Sequence, residues 1–139
     1  MRALGLDVGE KRIGIAVSDA TGLFAHPRGA LIRKGETADI DALVATAREE
    51  GAERVVVGLP ISLNGSVGPQ AKATLAFVDA LRARSPVPVE VWDEKLSTAE
   101  AERLLSEAGH RRPSKARRDA AAATVILQGY LDHSPRKVQ

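Results

Sequence analysis

The chain has no cysteine, and only four of its 139 residues are aromatic: Phe24, Phe77, Trp92 and Tyr130. The missing thiols remove disulfides, thiolate metal ligands and a cysteine nucleophile, and are compatible with a reducing compartment. Scarce rings argue against a single-strand binder built on stacking platforms, which needs aromatic faces for successive bases. Long apolar runs are missing too, since nothing approaches the roughly 18 residues of a membrane helix. The first apolar run, Leu4 to Val8, is short and interrupted by Asp7, so it does not read as a signal segment. The expectation is a soluble, cytoplasmic protein with no membrane partner. His26, His110 and His133 are too scattered to suggest a ligand set.

What is present fits one globular domain spanning residues 1–139, with 44% hydrophobic residues and no repeat, linker or low-complexity tract. The net charge of +2 says little, but its distribution is uneven. The stretch "HRRPSKARR" carries Arg111, Arg112, Lys115, Arg117 and Arg118 with no acid among them. Such a cluster is either a phosphate-binding patch or a solvated basic loop.

Along the chain, "RALGLDV" and "RIGIAVS" read as strands joined through "GEK", a hairpin whose turn glycine, Gly9, supplies unusual backbone angles. "GALIRK" suggests a third, antiparallel strand. "TADIDALVATAREEG" places Ile40, Leu43, Val44 and Ala47 at helical spacing and stops at Gly51. "RVVVGLP" is a β-branched run of the kind buried on both faces of a parallel sheet. The loop "ISLNGSVG" precedes Pro69, which opens a helix with Leu75, Val78 and Leu81 as its apolar stripe. "VPVEVW" is another strand. "STAEAERLLSEAG" is a helix with capping-box spacing between Ser97 and Glu100, and "DAAAATVILQGYLDH" is a last, alanine-rich helix. The order predicts an α/β fold whose mixed sheet, an antiparallel N-terminal hairpin plus parallel strands, is flanked by helices.

A carboxylate near a core is costly unless hydrogen-bonded, paired or bound to metal, which makes Asp7 conspicuous at the end of its strand. Glu94 follows the strand "VPVEVW", and Asp119 opens the last helix directly after the basic loop. Sites in open α/β sheets form outside the carboxyl ends of parallel strands. Three oxygen donors converging there, without cysteine or paired histidines, suit Mg²⁺ or Mn²⁺. Two such ions about 4 Å apart can promote attack on a phosphodiester. Each acid also has a plain reading. Asp7 could bond the turn near Gly9, while Glu94 and Asp119 could simply favour the positive ends of helices. Asp93 competes with Glu94, because neighbours in an extended segment point opposite ways.

The blocks "LGLDVGEKRIGIAVSD", "VVVGLPISLNGSVG", "VWDEKLSTAEAERLL" and "KARRDAAAATVILQGYL" resemble, in order and spacing, the YqgF (RuvX-like) family of Holliday-junction-resolvase-like proteins over nearly the whole chain. The resemblance implies a ribonuclease-H-like three-layer fold. It implies a metal-dependent nuclease connected with the 5′ end of pre-16S ribosomal RNA, with branched DNA as the alternative substrate. The family's acidic positions fall on Asp7, Glu94 and Asp119. On this pattern Asp7 anchors two divalent ions and the other two acids hold one each. Lys11, Arg12, Lys95, Arg111, Arg112, Lys115, Arg117 and Arg118 would flank the nucleic acid. Asn64, Gly65 and Ser66 could offer backbone N–H groups to a phosphate at a helix start, or be an ordinary loop.

Two departures stand out: Lys95 and Ser97 replace the family's usual arginine and threonine. Lysine keeps the charge but loses the planar fork. A binding module without catalysis remains a rival, as does a nucleotide-binding fold of the sugar-kinase and actin kind, which would need a second domain. A monomer and a homodimer are both open.

Overall fold

The computed structural model describes residues 1–60, 68–94 and 115–133. The expected helix from Ser97 to Gly109 lies outside the described residues. Five strands, β1 (Ala3–Val8), β2 (Arg12–Ser18), β3 (Ala25–Ile32), β4 (Arg54–Pro60) and β5 (Val89–Glu94), form one sheet in the order β3-β2-β1-β4-β5. Strands β1, β2 and β3 pair antiparallel, while β1, β4 and β5 run parallel. Helices α1 (Glu36–Glu50) and α2 (Pro69–Arg84) supply the crossovers, and α3 (Lys115–His133) closes the chain. The mixed sheet expected from the sequence is present.

The two sheet faces are built differently. Leu4, Leu6, Ile13, Val55 and Val57 pack with Ile40 and Leu43 of α1 and with Phe77, Val78 and Leu81 of α2. Fully burying one such aliphatic side chain is worth about 1.5–3 kcal/mol, so this layer supplies much of the driving force. The opposite face offers Ala3, Ala16 and Val56 to Ala123, Ile126, Leu127 and Tyr130 of α3. Glycines interrupt it. A Cβ at Gly5 would come within 2.7 Å of Leu127 Cβ, and one at Gly58 would overlap the Ile126 side chain. The alanine-rich helix therefore sits unusually near the strands.

Three local expectations are corrected. Gly9 is not among the glycines with positive φ; it is needed for space, because a Cβ there would lie 2.8 Å from the Arg12 carbonyl oxygen. Leu75 is 36% exposed, and the buried stripe of α2 is Ala71, Thr74, Phe77, Val78 and Leu81. The third strand begins at Ala25 rather than Gly29, earlier than the apolar pattern indicated. A bulge at Ile15/Ala16 leaves Arg28 outside the register, free to pair with Glu49 and Glu50. Proline at position 27 is tolerated because β3 is an edge strand. Among the described residues no helix is long and apolar enough to cross a membrane.

Candidate active site

The positions of two of the three sequence-assigned acids, Asp7 and Asp119, lie on either side of Gly14 at the carboxyl end of β1. Strand alternation puts Leu4, Leu6 and Val8 on the α1/α2 face, and Ala3, Gly5 and Asp7 on the α3 face. Asp7 is half-buried and lies opposite Gly14 in the β1–β2 register. Gly14 is where α3 touches down: a Cβ there would overlap the Asp119 carbonyl and sit 3.2 Å from its Cα. One missing side chain thus lets the first turns of α3 settle beside the Asp7 position. Gly14 carried no expectation from the sequence, although a glycine inside a strand pattern commonly marks close backbone approach.

Asp119 already has a cation. Its Oδ2 accepts a hydrogen bond from Arg12 Nε at 2.7 Å, with both side chains 28% exposed. Arg12, expected from the sequence to contact nucleic acid, has its guanidinium bonded to Asp119 in the structure. Lys11, at the hairpin tip, is exposed. Arg118, one residue before Asp119, is half-buried.

The third acid is placed by its backbone alone. Glu94 ends β5 opposite Pro60 of β4, and the parallel strands bring that position to the same sheet edge as Asp7. Glu90 and Trp92, at the preceding alternate positions, contact Tyr130 of α3, whereas Asp93 between Trp92 and Glu94 is exposed. The side chains of Glu94, Lys115 and Arg117 lie outside the described residues, as do Asn64, Gly65, Ser66, Lys95, Arg111 and Arg112 entirely. Among the described residues no three His, Cys, Asp or Glu side chains group as a metal site. Asp7 and Asp119 bring carboxylate oxygens to this edge, and one of these oxygens already accepts from a guanidinium. That is the chemistry a hard divalent ion requires.

A buried ion pair supports the turn next to Asp7, and sequence reasoning missed it. Asp39, in the first turn of α1, is 2% exposed. Its Oδ2 accepts from Arg33 Nε at 3.1 Å and its Oδ1 from the Lys34 N–H at 2.9 Å. Burial alone would push this carboxyl up, but the Lys34 N–H and the Arg33 guanidinium outweigh it and hold it below its ordinary value. Arg33 also donates from Nη1 to the Gly9 carbonyl at 2.9 Å and lies 5.0 Å over the Phe77 ring. Gln70 of α2 donates to the Val8 carbonyl at 3.1 Å. The chain leaving Asp7 is thereby tied to both helices of that face. An acid in a first helical turn was the available signal, but it could not reveal the arginine.

A sequence model of the family RuvX, Holliday junction resolvase, matches residues 1–133. A protein of Symbiobacterium thermophilum named "Putative pre-16S rRNA nuclease" is 50% identical over 136 residues, covering 95% of this chain and 92% of that one. One of the same name from Desulforudis audaxviator is 47% identical over 134 residues, with 95% and 94% covered. Among solved structures, the fold resembles T. thermophilus RuvC in complex with Holliday junction substrate, at a TM-score of 0.60 and 15% identity, covering 94% of each chain. It also resembles the Fowlpox virus resolvase in its complex with Holliday junction DNA, at 0.61 and 12%, covering 98% of this chain and all of that one. At such identities the likeness is one of fold.

Proposed function

The chain belongs to the RuvX family, and from that premise we propose that it is a metal-dependent nuclease that hydrolyses phosphodiester bonds in pre-16S ribosomal RNA. The observation that carries the reading is the placement of Asp7 and Asp119 on either side of Gly14, at the carboxyl end of a parallel strand. Carboxylates held at one sheet edge favour a cation beside them, and Arg12 already serves Asp119 in that way. Asp7 and Asp119 would hold the ion, with Glu94 as the third donor. A divalent cation bound there supplies a Lewis acid for the phosphate and lowers the pKa of water.

The chain's own residues do the rest. The hairpin and α3 fix the backbone positions of Asp7 and Asp119 before substrate binds. Lys11 and Arg118 would bring positive charge to a passing backbone, and Lys115 and Arg117 are assigned the same role from their sequence positions in the first turn of α3. Curated relatives carry the RNA name, which favours RNA over junction DNA as the substrate.

The test is cleavage of labelled pre-16S RNA, single-stranded RNA, single-stranded DNA and a four-way DNA junction, by wild type and Asp7→Asn, with Mg²⁺, Mn²⁺ or chelator. Metal-dependent cutting of the ribosomal precursor, lower by on the order of 10³-fold in Asp7→Asn, is expected from the loss of several kcal/mol of charge stabilisation. Preferential cutting of the junction would reassign the substrate. Binding without cutting, or equal cutting by the variant, would overturn the nuclease reading.

A further inference from the structure

Arg12 and Asp119 stand 107 residues apart in sequence, yet their side chains bond directly and join the hairpin to the opening of α3. The bond joins a residue expected to bind nucleic acid to a residue expected to bind metal. While the bond lasts, Oδ2 spends part of its acceptor capacity on the guanidinium, and the positive charge beside it disfavours a divalent cation at the same oxygen. The backbone of Arg12 is fixed, because its carbonyl accepts the Gly9 N–H at 2.9 Å and the residue pairs with Ile32 in the sheet. Its side chain is the movable part, long, unbranched and 28% exposed. The contact is made through Nε, while a guanidinium has further donors on its two Nη nitrogens.

Resting on the metal-site reading above, we infer that Arg12 is a tethered counter-ion for Asp119. It neutralises the carboxylate while no metal is bound, gives it up to a divalent cation, and is then available to a phosphate at the same sheet edge. The exchange gives Arg12 two successive partners within reach of one side chain. Loss of the Arg12 charge raises metal affinity with or without an exchange, so the distinguishing observation is whether the Arg12 side chain leaves Asp119 as the metal binds. Removing a positive charge beside a metal site ordinarily strengthens metal binding modestly through long-range attraction. Here it also removes a direct competitor for the ligand oxygen, while Arg12→Lys keeps both charge and competition.

The experiment is an Mg²⁺ titration of the ¹⁵N-labelled full chain, followed by NMR at the backbone amides and at the arginine Nε–H groups. Wild type, Arg12→Gln, Arg12→Lys and Asp119→Asn are compared. Wild type is expected to show saturable shifts at the amides of Asp7 and Asp119. The Arg12 Nε–H resonance should move from its carboxylate-bonded position along the same saturation curve. Arg12→Gln should bind Mg²⁺ about three- to tenfold more tightly, the factor expected for removing one partly exposed charge-assisted bond. Arg12→Lys should stay within about twofold of wild type, and Asp119→Asn should bind far more weakly. If Mg²⁺ shifts the amides but leaves the Arg12 Nε–H unmoved, the counter-ion exchange is wrong and the metal site stands. The wild-type Nε–H signal decides this even if Arg12→Gln does not fold. If Mg²⁺ shifts neither Asp7 nor Asp119, the metal-site reading fails first and the exchange falls with it.

Discussion

At its first turns α3 comes so near β2 that position 14 has no room for a side chain, and the contact presents charge: Asp119, Arg12 and, across the register, Asp7. At its last turns the same helix meets β4 and β5 through Trp92 and Tyr130, whose rings pack edge to face with centroids 5.9 Å apart. Polar groups occur there too, but they are settled among themselves. Arg54 Nη1 donates to the Tyr130 hydroxyl, which donates to Glu90 Oε1 at 3.1 Å. Glu90 Oε2 lies 3.1 Å from Arg54 Nε, an ion pair whose N–H is not aimed at the oxygen. One end of the helix keeps its charges at the carboxyl edge of the sheet, where a ligand could reach them. The other closes its charges into a local network near the strand starts. The lesson is that one helix–sheet contact can be tuned for chemistry at one end and for cohesion at the other.

The sharpest way to break this comparison is to put the same methyl group at each end. Gly14→Ala must push the Asp119 carbonyl away, and overpacking of this kind costs about 1–3 kcal/mol. It also displaces a proposed metal ligand, and misplacement by about 1 Å can cost on the order of 10²-fold in rate. Gly129→Ala is the matched change. Its Cβ would lie 3.1 Å from Trp92 Nε1, a side-chain atom able to shift slightly. Replacing a helical glycine by alanine gains up to about 1 kcal/mol of propensity, so stability should be near wild type. Urea unfolding and cleavage rates check both. Equal loss of activity in the two variants would show that the ends of α3 are not specialised.

Much of the framework was legible because it is written locally. Alternating Leu4, Leu6 and Val8 against Ile13 and Ile15 announced the hairpin, and the unbroken "RVVV" announced a parallel strand covered on both faces. Asp7 was conspicuous because an acid in such a run needs a reason. Side-chain partners were not legible. Nothing near position 12 points to position 119, and nothing near Arg33 points to Asp39, because those bonds exist only once helices dock. Phe77 displaced Leu75 from the core for a similar reason: helical spacing permits several stripes, and the neighbour selects one.

The middle-sized effect concerns the support under the site. Asp39→Asn leaves Arg33 facing a neutral partner in a mostly buried setting, and a loss of about 1–3 kcal/mol is expected at pH 7. The sign of the pH dependence follows from the lowered carboxyl. A group whose folded pKa lies below its unfolded value stabilises the protein above that unfolded value and loses the contribution as pH falls through the folded one. Wild type should therefore weaken on acidification from about pH 5, most steeply below about pH 4, and Asp39→Asn should weaken less over the same range. Thermal melts across that range measure it. Parallel curves for the two proteins would mean that other carboxylates govern the acid limit.

The smallest effect tests the quiet end of α3 directly. Tyr130→Phe keeps the ring that packs on Trp92 and removes only the hydroxyl between Arg54 and Glu90. The arginine and glutamate remain close enough to attract each other, so the loss is that of a mediated hydrogen bond, about 1 kcal/mol. Cleavage rate and metal affinity should be unchanged, because the variant leaves the Gly14 contact and the Arg12–Asp119 bond as they are. A fall in rate with little loss of stability would carry the opposite meaning. The far end of α3 would then be setting the position of Asp119 along the whole helix, and the two ends would be one device rather than two.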